Sequence, residues 1–331
     1  MYSLRRIKQR ILKTLTKRIE ETTALLSGTL NENHSHFDMI FTDVWQAYLQ
    51  DPSVNVGDRL RILCDGMDDI SKEIATTVAE RYFYIAPPCK FDDVVLYRKD
   101  RLFTNYEREL QTKFKEVMKL RSKKGYWLPE GHRELPISVF APHNGLDFIP
   151  DAGERMLGAS VIDGGAFIGD SALAINEFRP QAIYCFEPED SNRNKMRETI
   201  EHNSLSNVTI VNAGLGSAQG RARLQGDASK TKLELSSDGL TVTTVDAFCR
   251  EHNVAPGLIK LDVEGMEYDV IQGSLETIKR HKPLLIISIY HSARDFFEIK
   301  PILHDLGLGY LFSIRRLDPF HPTNETVLIC R

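Results

Sequence analysis

The chain has 331 residues, of which 42% are hydrophobic and 27% are charged, and its formal net charge is −4. This length predicts one large domain plus a smaller one, and the near-neutral charge argues against nucleic-acid binding by the whole chain. No apolar run reaches the roughly 18 residues of a membrane-spanning helix, and we expect no secretory signal. The five scattered cysteines form no C-x-x-C pair, which predicts reduced thiols and a cytoplasmic protein.

Residues 1–125 form the first predicted domain, which is helical. Apolar residues recur there every three or four positions, the spacing of one helix face. The predicted helices span residues 4–19, 37–50, 58–84 and 98–121. The first is basic, since residues 1–18 hold seven Lys or Arg and no acid. Two interpretations stay open: its apolar face packs on the domain or on a partner subunit of a homo-oligomer, or it lies on a membrane surface.

Residues 126–331 form the second predicted domain, in which strands and helices alternate. This alternation predicts an α/β fold with a doubly wound parallel sheet, and two consecutive strands at the end predict that the last one is antiparallel. A first short strand is predicted at Ile137–Phe140, with a turn at 143–145, and a β-meander is predicted within 219–245. The other predicted strands span 159–163, 182–187, 208–213, 257–262, 283–290, 309–316 and 325–331, and the helices 170–178, 190–203, 266–280 and 293–306.

An apolar strand, a glycine turn and a helix start follow one another in ASVIDGGAFIGDSA, residues 159–172. Glycines let a backbone pass close to a ligand, and the amides of a helix start face its polar groups. This segment therefore predicts a nucleotide-binding corner. Its candidate binding residues are Asp163, Gly164, Gly165, Phe167, Asp170 and Ser171.

The position of the acids indicates which nucleotide binds. In a dinucleotide-binding fold the glycines come first and the acid follows about 20 residues later. Here Asp163 precedes the glycines, where it can face a cationic ligand, and Glu187 ends the next strand, where its two oxygens can accept both ribose hydroxyls. This pattern suits S-adenosylmethionine, which is cationic and has no phosphate, and disfavours an NAD-dependent dehydrogenase. Asn212 and Ala213, after the third strand, are expected near the adenine.

Two later strands end in residues that suit the acceptor side of a reaction. Asp262 and Glu264 lie in IKLDVEGMEYDVIQG, and His291 ends PLLIISIYHS. Ligands of open α/β sheets bind at the carboxyl ends of strands. The two acids could orient a substrate hydroxyl or hold a divalent cation, and His291 is a candidate general base. Alternatively, Glu264 and Glu267 cap the following helix, and His291 is a structural histidine paired with a carboxylate.

At these motifs the chain resembles the FkbM family of S-adenosylmethionine-dependent methyltransferases. The matching segments are VIDGGAFIGDSA, YCFEPEDSN, IKLDVEGMEYDVIQG, KPLLIISIYHS and ETVLICR, within about residues 128–331. The resemblance implies a seven-stranded class I methyltransferase sheet, which is Rossmann-like, and methyl transfer to an oxygen. Asp163, Gly165 and Glu187 occupy its cofactor positions. The chain departs from the family at Gly164, where many members have another small or branched residue, and at Gly214, where alanine is common.

The resulting hypothesis is an O-methyltransferase that acts on a hydroxyl of a sugar, glycan, nucleotide-sugar or related polar metabolite. The preferred scheme needs no metal, and a divalent cation at Asp262 and Glu264 is the alternative. Residues 1–125 lie outside the resemblance, so the acceptor cannot be carried over from the family. A hypothesis of another class is a scaffold that recruits partner enzymes through residues 1–125.

Overall fold

The computed structural model describes residues 41–85, 103–225, 232–235 and 239–331. The predicted helix over 4–19 lies outside these residues, as do the beginnings of those predicted from 37 and from 98. Among the described residues, no helix has both the length and the apolar character to cross a membrane.

The strands follow the predicted order along the chain. They are β1 (Ser160–Gly164), β2 (Ala182–Phe186), β3 (Val208–Val211), β4 (Gly214–Leu215), β5 (Gly220–Gln225), β6 (Lys232–Leu235), β7 (Leu240–Thr243), β8 (Pro256–Leu261), β9 (Leu284–Ser288), β10 (Phe312–Arg316) and β11 (Thr326–Cys330).

Within the described ranges, seven strands form the main sheet in the order β10-β11-β9-β8-β1-β2-β3. Strands β3, β2, β1, β8 and β9 are parallel to their neighbours, whereas β11 is antiparallel to both β9 and β10. The predicted seven-stranded sheet with an antiparallel last strand is therefore confirmed. One edge of the sheet consequently carries the carboxyl ends of β1, β2, β8, β9 and β10 together with the start of β11.

A smaller sheet forms where the meander was predicted, but it is not a meander, because β7 pairs with β5 and not with β6. Its order is β4-β7-β5-β6, and β5 is antiparallel to both β6 and β7. The strand pieces predicted within 219–245 are thus present, and β4 adds to them by pairing with β7 in parallel.

Helices cover both faces of the main sheet. Ile162 and Ile287 belong to the hydrophobic core of one face, and their neighbours Val161 and Ile286 belong to that of the other, so successive strand residues are buried on opposite sides. The helices are α1 (Thr42–Leu49), α2 (Val56–Cys64), α3 (Asp69–Ile85), α4 (Asn105–Arg121), α5 (Ile137–Phe140), α6 (Ala152–Met156), α7 (Asp170–Ile175), α8 (Asp190–His202), α9 (Val245–Glu251), α10 (Glu267–Gln272), α11 (Leu275–His281) and α12 (Ala293–Asp305), with 3₁₀ turns at His143–Phe148 and Asn176–Phe178.

Three predicted elements differ from the structure. The strand predicted at Ile137–Phe140 is wrong, because Pro136 starts a helical turn there and Phe140 packs against Ile168 and Leu173 rather than beside a strand. The helix predicted over 58–84 is two helices, broken at Gly66, whose φ is +72°. The helix predicted over 266–280 is also two, because the chain turns at Gly273, where a Cβ would lie 2.2 Å from the Gly216 oxygen.

The first helices pack on the sheet rather than apart from it. Trp45 of α1 and Tyr82 of α3 stack with ring centroids 3.8 Å apart. The Trp45 indole Nε1 and the Tyr82 hydroxyl both donate hydrogen bonds to the main-chain carbonyl oxygen of Tyr290, at 2.8 and 3.3 Å. The predicted boundary near residue 125 stays a prediction, but these two helices contact the residue that precedes His291.

Candidate active site

The glycine corner joins the ends of three strands. Gly165 follows β1 with a φ of +75°, and a Cβ there would lie 1.8 Å from the main-chain carbonyl oxygen of Asp262. Only glycine fits so close an approach at this φ. The amides of Gly165 and Ala166 both donate to the Phe186 oxygen at 3.1 Å. The loop after β1 is therefore held between the end of β2 and the end of β8.

Asp163 lies beneath this loop and is completely buried. Its Oδ1 is 3.1 Å from the Lys260 ammonium, and its Oδ2 accepts a hydrogen bond from the Ser171 hydroxyl at 2.5 Å. Direct contact between Asp163 and a ligand stays a prediction. Its surroundings fit a positioning role, because both carboxylate oxygens face groups of the chain itself.

Lys260, on β8, is a site residue that the sequence analysis missed. Its Nζ also donates to the Gly165 oxygen at 3.3 Å. Burial by itself lowers the pKa of Lys260, but the charges of Asp163 and Asp262 outweigh it and raise that pKa above its usual range. Lys260 therefore stays charged and ties the glycine loop to β8. The sequence feature that could have revealed Lys260 is a single lysine among the apolar strand residues of LIKLD.

The second acid, Glu187, lies at the end of β2 beside the same loop and is only 6% exposed. Its Oε1 accepts a hydrogen bond from the Glu189 amide at 2.9 Å. Burial raises the pKa of Glu187 above its ordinary value. At the end of β3, Asn212 is exposed and Ala213 is buried. The strand-end positions expected of these residues are thus observed, while their binding roles stay predictions.

The helix start after the corner borders a cavity of about 570 Å³. Phe167 and Asp170 line one side, and the irregular segment over residues 130–136 lines the other. Burial raises the pKa of Asp170 to about 6. Acidic and basic side chains from the segment both line this cavity, namely Glu130, His132, Arg133 and Glu134.

At the carboxyl ends of β8 and β9, a buried histidine lies among acidic side chains, and the role of these residues towards a methyl acceptor stays a prediction. His291 is 1% exposed. Its Nδ1 lies 2.8 Å from Glu267 Oε1, and its Nε2 lies 3.5 Å from Asp262 Oδ1 and 3.7 Å from Glu264 Oε2. Burial lowers the pKa of His291, but the negative charges of Glu267, Asp262 and Glu264 outweigh it and raise the pKa to about 10. At neutral pH His291 of the free protein is therefore protonated.

Glu267 and Glu264 differ in their surroundings. Glu267 is completely buried, and its two oxygens accept hydrogen bonds from the Val263 and Gly265 amides at 2.8 and 3.0 Å. It thereby fixes the loop before helix α10. The Glu264 side chain is 61% exposed on a backbone with φ +56°. Desolvation and the charges of Asp262 and Glu267 raise the pKa of Glu264 to about 7, although His291 opposes the rise.

Glu325 is a further acid at this edge that the sequence analysis missed. It precedes β11 with φ +57°, and its Oε1 accepts a hydrogen bond of 3.5 Å from the Tyr290 hydroxyl. Burial and then the charge of Asp262 raise the pKa of Glu325 to about 7. The sequence feature that could have revealed Glu325 is the position of this acid directly before the apolar strand TVLIC.

Comparisons with solved structures agree with this fold. A methyltransferase FkbM from Methylobacillus flagellatus KT is 19% identical with a TM-score of 0.55, and the match covers 83% of this chain and 58% of that one. This chain thus spans little more than half of that structure. An Aeropyrum pernix fibrillarin in complex with S-adenosyl-L-methionine is 14% identical with a TM-score of 0.35, over 54% of this chain and 68% of that one. At 19% identity, the likeness to the Methylobacillus structure concerns the fold alone.

The family comparison places the site inside one known domain. No curated protein matches the chain. Residues 163–312 match the family model described as the methyltransferase FkbM domain. This span begins at Asp163 and includes Glu187, Asp262 and His291, and it confirms the resemblance noted in the sequence. The match to the methyltransferase FkbM domain thus covers the part of the chain in which all four of these residues lie.

Proposed function

We propose that this protein transfers a methyl group from S-adenosylmethionine to a hydroxyl of a sugar, glycan or related polar metabolite. The observation that carries the proposal is the position of Gly165, which contacts the end of β2 on one side and Asp262 on the other. A donor site at Glu187 and an acceptor site at Asp262 and His291 would therefore adjoin. The methyltransferase domain family supports the same reaction type.

The residues of the corner fit the proposed donor. The close approach at Gly165 leaves no room for a side chain, and Glu187 supplies two acceptor oxygens at the end of β2 for the ribose hydroxyls. Asn212 and Ala213 would border the adenine. The cavity beside Phe167 and Asp170 offers both charge signs, which suits the amino-acid end of the donor.

The acceptor residues would act mainly by positioning. S-adenosylmethionine supplies a methyl group on a positively charged sulfur, which is already activated for attack. Asp262 and Glu264 present carboxylate oxygens that can accept hydrogen bonds from an acceptor hydroxyl and so align its oxygen. His291 is protonated in the free protein and must lose that proton before it can act as a general base.

A screen for methyl acceptors tests this proposal. The protein is incubated with methyl-labelled S-adenosylmethionine and a panel of free sugars, glycans and nucleotide-sugars, and each product is measured by mass spectrometry. We expect the product to gain the mass of one labelled methyl group less one hydrogen, with the methyl group on an oxygen. Calorimetric titration with S-adenosylhomocysteine separates the rival scaffold function, because a scaffold would show no binding.

Replacing Glu187 by glutamine should weaken S-adenosylhomocysteine binding about 10- to 100-fold, since the charged acceptor of the ribose hydroxyls is lost. Calorimetry of both proteins gives the ratio of the dissociation constants. Glu189→Gln is the matched control, because Glu189 is exposed two residues away and contacts Glu187 through its amide. Equal affinities for Glu187→Gln and the wild type would remove Glu187 from the proposed site.

A further inference from the structure

We propose that the Nε2 atom of His291 and the carboxylate of Asp262 bind a divalent transition-metal cation of the Mn²⁺ type, with Glu267 holding the His291 ring from its Nδ1 side. Each of the three side chains offers one ligand atom, and these atoms all lie within 4.8 Å of one another. They come from the end of β8, the start of α10 and the segment after β9, so the sheet edge brings them together. One imidazole nitrogen with carboxylate oxygens suits manganese, iron or zinc, whereas magnesium and calcium prefer oxygen ligands alone.

Buried polar atoms without hydrogen-bond partners are a second observation that points to a ligand at this position. His291 is 1% exposed, and its Nε2 has no hydrogen-bond partner among the described residues, whereas its Nδ1 lies 2.8 Å from Glu267 Oε1. The Oδ1 atom of Asp262 is also buried and lacks such a partner. Buried polar atoms are nearly always hydrogen-bonded, and an absent ion is one recognised reason for an exception. The atoms without partners are those that would bind the cation.

On the Nε2 side of His291 the spacing also fits ligands around an ion better than hydrogen bonds, whereas the Nδ1 side has the 2.8 Å spacing of a hydrogen bond to Glu267. Charge-assisted N–H···O bonds measure about 2.7–2.9 Å. The Nε2 atom of His291 lies 3.5 and 3.7 Å from its two acidic neighbours, Asp262 and Glu264. With metal–ligand bonds of about 2.1 Å, neighbouring ligand atoms lie about 3 Å apart or more. A cation on the Nε2 side can therefore bind His291 and Asp262 with small side-chain shifts.

The surroundings would hold the ligands in place. The Val263 and Gly265 amides fix the Glu267 carboxylate, and the Phe41 ring packs edge-on against the His291 ring with centroids 4.8 Å apart. Such outer contacts orient ligands and support metal affinity. The role of the ion rests on the proposed function: beside an acceptor hydroxyl, a cation would lower the hydroxyl pKa and favour loss of its proton to water.

The test is a titration of the chelator-treated, full-length protein with Mn²⁺, in which electron paramagnetic resonance measures the free ion. We expect the wild type to remove one ion per chain from solution, and Asp262→Asn to weaken binding at least about 10-fold. Asp269→Asn is the matched control, because this acid pairs with Arg294 outside the cluster, and it should bind as the wild type does. Asp262 is partly exposed, so Asp262→Asn should fold, and His291→Gln provides a second variant with a weakened site.

Two outcomes would overturn the metal site: no uptake of Mn²⁺ by the wild type, or equal uptake by Asp262→Asn and Asp269→Asn. Titration of the same preparation with S-adenosylhomocysteine separates this inference from the proposed function. Binding of S-adenosylhomocysteine without Mn²⁺ uptake would refute the metal site alone. Uptake of Mn²⁺ without S-adenosylhomocysteine binding would instead refute the proposed methyl transfer.

Discussion

Replacing Gly165 by alanine is expected to abolish S-adenosylhomocysteine binding and to destabilise the fold. The new Cβ would lie 1.8 Å from the main-chain carbonyl oxygen of Asp262, and the φ angle of residue 165 is +75°. The side chain cannot be accommodated unless the loop moves away from the end of β8. Backbone strain of about 1–3 kcal/mol adds to an overpacking cost of about 1–3 kcal/mol. Urea denaturation followed by circular dichroism measures the stability, and calorimetry measures the binding.

A second glycine provides the control for this experiment. Gly153 has no atom within 4 Å of its ideal Cβ position, and its φ is not positive. Gly153→Ala should therefore leave both stability and S-adenosylhomocysteine binding near those of the wild type. If Gly165→Ala behaves like Gly153→Ala, the close contact between the glycine loop and Asp262 does not shape the site.

Replacing Glu107 by glutamine is the second change with a large expected effect. Arg81 donates two hydrogen bonds to the Glu107 carboxylate, at 2.7 and 2.6 Å, and the Arg316 Nε lies 3.5 Å from it. All three side chains are at most 3% exposed. Without the negative charge, two buried guanidinium groups lose their counter-ion, which should cost about 3–5 kcal/mol. This cluster joins α3 and α4 to the end of β10, so the loss would loosen the helices from the sheet.

Chemical denaturation of Glu107→Gln and Glu116→Gln tests this prediction. Glu116 lies on the same helix with its side chain 67% exposed, so its substitution should be nearly neutral. Burial alone would raise the pKa of Glu107, but Arg81 and Arg316 hold it below the ordinary value of 4.5. The wild type should therefore lose this stabilisation only as the pH falls below that value, and Glu107→Gln should lack that acid-dependent loss. Equal stability of the two variants would contradict the account.

Much of the sheet could be predicted because its strands are apolar runs that alternate with helical periods. The same logic misread Ile137–Phe140, since four consecutive residues do not distinguish a strand from a buried helical turn. The common position of Glu187, Asp262 and His291 could be predicted because parallel strands bring their carboxyl ends to one edge. This rule depends on the order of elements and not on the details of packing.

The residues that were missed depend on contacts between distant parts of the chain. In the sequence Lys260 looks like an ordinary strand residue, because its contact with Asp163 on the neighbouring strand appears only in the folded chain. Glu325 reaches the site only because β11 inserts between β9 and β10. The contacts of Trp45 and Tyr82 with Tyr290 likewise join helices to a strand far along the sequence. Spacing along the chain carries no signal for such pairs.

The central claim is that the glycine corner holds the methyl donor beside Asp262 and His291. A crystal structure of the full-length protein with S-adenosylhomocysteine tests it most directly. The account predicts the ribose hydroxyls within hydrogen-bond distance of Glu187 and the sulfur atom on the side of Asp262. A bound S-adenosylhomocysteine that contacts neither Gly165 nor Glu187 would contradict it.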